Sequence, residues 1–112
     1  MDLQLRRIIL FTPNLEAMTA FYRDVVGLKP LGHEKGWIDF DAGACRLALH
    51  AGPSEIGKRA PKLAFFAADV ASARASLMKR GARFGPVKST AHFDMCDGKD
   101  PDGNSISLSS RR

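Results

Sequence analysis

The chain has 112 residues, 45% of them hydrophobic, and its 17 Lys and Arg against 12 Asp and Glu give a formal charge of +5. That is the length of one ordinary domain, long enough to bury a core without disulfide staples and too apolar for a disordered chain. The longest apolar runs, such as LAFFAA at 63–68, are far too short to span a bilayer. A basic balance favours anionic partners. The cations are spread along the chain, however, and no recognition helix, RNP-type strand or aromatic-interleaved run accompanies them. The expectation is no nucleic-acid and no membrane partner, and either a solvated basic surface or an anionic small molecule.

LQLRRIILF (3–11) has the pattern of a strand, and TPNLEAMTAFYRDVVGL (12–28) that of a helix with its punctuation. Asn14 is a good N-cap, because its side chain can accept from the free amides of the first turn. Leu15, Met18, Phe21, Tyr22 and Val25 recur at helical spacing, and Gly27 follows the last turn, where a left-handed residue is wanted. LKPLGHE (28–34), GWIDFDA (36–42) and ACRLALH (44–50) are three strands divided at Gly36 and Gly43. AGPSEIGKRAP (51–61), rich in Gly, Pro and charge, reads as a linker.

The order then repeats. KLAFFAA (62–68) is a strand, and DVASARASLMKRGA (69–82) a helix with Asp69 as N-cap and Gly81 after its last turn. RFGPVKS (83–89), HFDMCDG (92–98) and SISLSS (105–110) are strands. In the last, strict alternation buries Ile106 and Leu108 and turns Ser105, Ser107 and Ser109 the other way. The two N-caps, at 14 and 69, and the two glycines, at 27 and 81, are offset by almost the same interval. One domain, 1–112, therefore holds two βαβββ units: module one at 1–50, the linker at 51–61 and module two at 62–112. One helix cannot cover both faces of a four-stranded sheet. The other face must close on a partner chain or on a ligand cupped by the curved sheet.

Cys45 and Cys96 lie far apart with no CxxC spacing and read as two reduced thiols in strands. MDLQLRR sets its arginines inside a strand pattern with no long apolar stretch behind them, unlike a signal peptide. A soluble, cytoplasmic protein is expected.

The paired modules, the PNLEAMTAFYRDVVGL helix after the first strand and the DPDGN turn (100–104) before the last resemble the vicinal oxygen chelate superfamily. This is the glyoxalase, bleomycin-resistance and extradiol-dioxygenase group. The resemblance covers essentially the whole chain. It implies an α+β fold whose two βαβββ modules form a curved mixed sheet with a cleft, and a homodimer. In DPDGN, Pro101 presets its φ, Asp102 can make an Asx-type bond and Gly103 takes a positive φ.

The resemblance also implies a divalent metal held by His, Glu or Gln on the first and last strands of each module. Strand parity carries those positions to Arg7, to Ala48 or His50 two residues along, to Leu63 with Lys62 one register away, and to Ser107. Serine hydroxyl is a poor ligand for such metals, Arg and Lys are cations, and leucine has no donor. No metal and no cofactor are therefore expected. The implied function is small-molecule binding in the manner of the bleomycin-binding members, with a planar or anionic ligand.

The candidate ligand contacts are Arg7, Trp37, Arg46, His50, Phe65 and Ser107. In ACRLALH, Cys45, Leu47 and Leu49 share one face and Arg46, Ala48 and His50 the other, which faces the cleft. His50 is a general base by its ordinary pKa, or a strand-end histidine bonded to the following loop. Trp37 is a flat wall for a planar ligand, or a core or interface residue. Arg7 clamps a carboxylate or phosphate, or pairs with Asp39 or Asp41 across the sheet. Phe65 joins the cleft wall by the parity of Leu63, with Phe66 in the core. His92, Asp94 and Cys96 share one face of their strand; a reversed strand would line the cleft with Phe93 and Met95 instead. The alternative function is a metal-dependent lyase, isomerase or dioxygenase with His50, His92 and Asp94 as an unusual ligand set. A third is an interaction module whose cleft its partner chain fills.

Overall fold

The computed structural model of the protein describes residues 1–112 apart from Leu3, Lys58 and Arg59. The start of the expected first strand at Leu3, and two residues of the expected linker, thus lie outside the described residues. Contacts separate two compact units, Met1–Glu55 and Ile56–Arg112. The class is α+β.

In the first unit, strand β1 (Arg7–Thr12) leads into helix α1 (Leu15–Ala20). Six further residues, Phe21–Val26, form a wider π turn, ended by Gly27 at φ +87°. A continuous 3.6-residue period was expected here. The N–H groups of Gly27 and Leu28 both reach the Tyr22 carbonyl, at 2.8 Å for Leu28. The extra residue in the turn lets the adjacent Phe21 and Tyr22, packed edge to face at 5.1 Å, both be buried. Asn14 makes no side-chain cap bond, contrary to expectation. The hydroxyl of buried Thr12 instead accepts from the Asn14 N–H at 2.9 Å. Strands β2 (Lys29–Glu34), β3 (Trp37–Asp41) and β4 (Arg46–Ala51) complete a sheet in the order β1-β4-β3-β2. Only the β1–β4 pair is parallel. Met18, Tyr22, Phe40, Leu47 and Leu49 form the core on the helix side, all 0–3% exposed.

The second unit opens on β5 (Leu63–Phe66) and α2 (Val70–Lys79). The Asp69 carboxylate caps α2 by accepting from the Ser72 N–H at 3.0 Å. The strand expected at 83–89 is two short pieces, β6 (Arg83–Phe84) and β7 (Lys88–Ser89), both paired with β8 (Asp94–Lys99). Gly85 and Pro86 divide them, and proline has no N–H to give the ladder. With β9 (Ser105–Ser109) the order is β5-β9-β8-β6. The β5–β9 pair is again the parallel one.

In DPDGN an Asx role falls to Asp100. The buried Asp100 carboxylate accepts from the N–H of Asp102 (3.0 Å) and of Asn104 (2.8 Å) and from the Asn104 amide (2.7 Å). Gly103 takes φ +88°, as the turn requires. Both cysteines are free. Cys45 lies in the turn before β4 rather than in a strand, and burial pushes the Cys96 thiol up, away from the reactive thiolate. Among the described residues no helix is long and apolar enough to cross a membrane.

Candidate functional site

Strand pairing turns the first sheet into a grid. Cα partners lie on the same face, so the register places Phe11, His50 and Trp37 in one row across β1, β4 and β3. Ile9, Ala48 and Asp39 make the next row, and Arg7, Arg46 and Asp41 the third. Rows are ~7 Å apart along the strands and neighbouring residues in a row ~5 Å apart. This face lies opposite the helix-side core. Its Ile9 and Phe11 are 44% and 52% exposed, values that a packed core face would not leave.

Asp39 is the hub. Its side chain is 8% exposed and accepts from two guanidinium groups. Arg7 gives Nε to both carboxylate oxygens at 3.3 Å and Nη2 to one at 3.1 Å. Arg46 gives Nη1 at 3.1 Å. The Arg7 guanidinium carbon also lies 5.8 Å from the centre of the Trp37 ring. His50 sits between two rings, 5.2 Å from Phe11 and 5.8 Å from Trp37. Its Nδ1 lies 2.8 Å from the Ala51 carbonyl oxygen, which can only accept. Nδ1 is therefore the donor in this contact. Next to the charged row a groove of about 550 Å³ opens between Leu5, Leu31, Asp41, Cys45 and Arg46.

Burial pushes the Asp39 carboxyl up, but the hydrogen bonds and charges of Arg7 and Arg46 outweigh it and hold it below the usual carboxylate range. A carboxyl lowered in the folded state contributes stability that is complete above its unfolded value, about 4, and is lost as pH falls through the folded one. Urea midpoints taken at about pH 7 and at progressively lower pH should therefore fall more for the native chain than for Asp39→Asn. Equal losses would mean that the cluster does not couple to folding.

The second sheet corrects the expectation for Phe65. LAFF is apolar on both faces, so alternation could not orient it. Phe65 pairs with Leu108 and shares its face with buried Ile106 and Cys96. Phe66, expected in the core, is 52% exposed and lies on the face of Ser107. Ser107 is buried, with Ala64 and Asp97 as its strand partners. Lys62 reaches Asp97 at 2.8 Å across the strand that carries Ser107. Met95 pairs with Ser109 and so joins this face, while Cys96 points to the core. His92 lies before β8 rather than in it and, with Phe93, Ser110, Arg111 and Arg112, lines a hollow of about 550 Å³. Among the described residues no three His, Cys, Asp or Glu side chains come together as a metal would need. His50 belongs to the first unit, and His92 and Asp94 to the second.

Of the expected ligand contacts, the register thus unites Arg7, Trp37, Arg46 and His50 on one face. It sets Phe65 and Ser107 on opposite faces of the other sheet. Sequence reasoning overlooked Phe11 and the central role of Asp39. Phe11 shares the parity of Arg7 and could have been found. Asp39 and Asp41 have the same parity, and only the packed side chains tell them apart.

No curated protein matches the chain significantly. Solved structures do, and they share its fold. A glyoxalase/bleomycin resistance protein/dioxygenase from Nocardioides has a TM-score of 0.83 at 20% identity, over 97% of this chain and 83% of its own. The antibiotic binding protein TnmS3 from Streptomyces sp. CB03234 has 0.81 at 23%, over 96% and 94%. A lactoylglutathione lyase from Agrobacterium tumefaciens has 0.75 at 21%, over 94% and 91%. The motifs, the twice-repeated strand order and a family match that spans residues 4–108 agree, and the chain belongs to the glyoxalase/bleomycin resistance protein/dioxygenase superfamily.

Proposed function

We propose that the protein binds a planar, anionic small molecule on the exposed face of the first sheet. Arg7, Arg46, Trp37 and His50 would be its contacts. The observation that carries this reading is the juxtaposition of a three-ring row with two guanidinium groups around one buried carboxylate. Rings offer a flat apolar surface, and guanidinium groups offer paired donors to a carboxylate or phosphate. The antibiotic-binding relative shows that the fold can serve binding.

The residues at the positions where the family resemblance expects metal ligands do not fit a divalent cation. Arg7 and Lys62 are cations already in ion pairs, Ala48 and Leu63 have no side-chain donor, and Ser107 offers one hydroxyl. His50, beside Ala48, is flanked by aromatic rings. The reading extends to a cytoplasmic homodimer, which the free thiols and the family resemblance support.

The test is a thermal-shift screen of planar acids followed by calorimetry. A hit should bind at least about tenfold more weakly to Arg7→Ala, which loses a charge-assisted bond. It should also bind more weakly to Trp37→Ala. Unchanged affinity in both variants would remove this face from function. Near-stoichiometric retention of one metal by the purified protein would overturn the metal-free reading.

A further inference from the structure

Independently of the first sheet, we infer that the open face of the second sheet is a docking surface for single-stranded nucleic acid. Cations that lie scattered along the chain are brought together there by the strand register.

The charge is uneven between the units. Ile56–Arg112 contain 11 Lys and Arg against 5 Asp and Glu, whereas Met1–Glu55 contain 6 against 7. The whole excess of positive charge therefore belongs to the second unit. Buried Phe84, Cys96, Ile106 and Leu108 mark the core face of its sheet. The opposite face holds Arg83, Lys99 and Ser105 in one row and Asp97, Ser107 and Ala64 in the next. Lys88, Met95, Ser109 and Phe66 form the third. Lys62, one step before Leu63, and Arg111, two beyond Ser109, extend the same parity, and the Arg112 guanidinium reaches this face beside Phe66. All six cations are exposed. The carboxylate among them is Asp97, held by Lys62 at 2.8 Å. Asp94 has the parity of Cys96, and Asp100 and Asp102 lie in the DPDGN turn.

Rows lie ~7 Å apart, so the cations run for ~20 Å over the face. That is longer than one nucleotide and suits a short strand whose phosphates each meet a cation. The rings select a single strand. Phe66 is 52% exposed, with the Arg112 guanidinium 5.0 Å from its centre, and Arg111 lies 5.3 Å from the centre of Phe93. Bases stack on aromatic rings and on guanidinium planes alike. Neither guanidinium makes a hydrogen bond or ion pair among the described residues, so its N–H groups are open to a phosphate. A duplex, whose base faces are already stacked, would find only the cations.

The test is fluorescence anisotropy of the full chain with labelled decamers of dT and of U. At least one should bind at 50 mM salt and lose about fifty-fold in affinity at 200 mM, the response to about four phosphate contacts. Lys88→Ala and Arg111→Ala should each weaken binding and lower the salt slope by ~0.7. Lys35→Ala removes the same charge from the turn between β2 and β3 of the first unit and should change neither. Phe66→Ala should weaken the single strand about tenfold and leave a duplex of the same length unmoved.

Failure of both decamers to bind, a duplex held as tightly as the single strand, undiminished binding in Phe66→Ala, or equal losses in Lys35→Ala and Lys88→Ala would each overturn the inference. Should a variant fail to fold, the native chain's salt dependence and its preference between single strand and duplex decide the matter alone. None of these results touches the first sheet, whose test uses planar acids.

Discussion

Phe40→Ala is expected to lower folding stability by ~3–5 kcal/mol, the range for removing a buried aromatic ring from a packed core. Phe40 is 0% exposed on β3, paired with Leu47, on the sheet face where Met18 and Tyr22 are also fully buried. A chain of this size has only ~5–15 kcal/mol in hand, so the loss should be plain in a urea or thermal unfolding curve. Phe66→Ala makes the control. That ring is 52% exposed, and its removal should cost a small fraction of the Phe40 effect. A Phe40→Ala loss below ~1 kcal/mol would mean that this side of the sheet is not the core.

Gly98→Ala is expected to cost ~3 kcal/mol, at the upper end of what overpacking does. A Cβ built on Gly98 would lie 2.6 Å from the Arg83 carbonyl oxygen and 2.8 and 2.9 Å from the Phe84 ring. The first clash is with backbone, so it is relieved only by moving β6 away from β8. The penalty is steric, since Gly98 is not among the positive-φ glycines. Gly32 is the comparison. It too lacks a positive φ, and its added Cβ meets nothing within 4 Å, so Gly32→Ala should stay within ~0.5 kcal/mol of the native chain. Equal losses in the two variants would show that the closeness at Gly98 carries no energetic weight.

Much of the architecture could be read from the residues because several signals agreed. Asp69 caps its helix, and Gly27 and Gly81 adopt the left-handed conformation expected after a last turn. The alternation in ACRLALH put Arg46 and His50 on one face, and the register bears this out and adds Trp37, whose place had two readings. What escaped had local causes. Phe21–Val26 wind into a π turn, which a 3.6-residue period cannot reveal. Asn14 makes no side-chain cap bond, and its own N–H is instead accepted by the Thr12 hydroxyl. Phe65 and Phe66 could not be told apart because their strand has no polar side. The Arg7–Asp39–Arg46 cluster joins three strands, and no spacing rule along one strand could choose Asp39 over Asp41.

The parallel pairing in each sheet has a consequence for the order in which the molecule is made. β1 joins β4 at Arg7–Arg46, and β5 joins β9 at Leu63–Ile106, so in both units the first strand must wait for the last. Loop closure over such a separation is slow compared with forming a hairpin such as β3–β4. During synthesis Ile8, Ile9, Leu10 and Phe11 emerge well before residues 46–51 exist to shelter them. This stretch is therefore an adhesive segment of the nascent chain, and one that a chaperone can protect. The face that carries Arg7, Trp37, Arg46 and His50 comes together only when that wait ends, so a ligand that bound there would report closure of the β1–β4 pair.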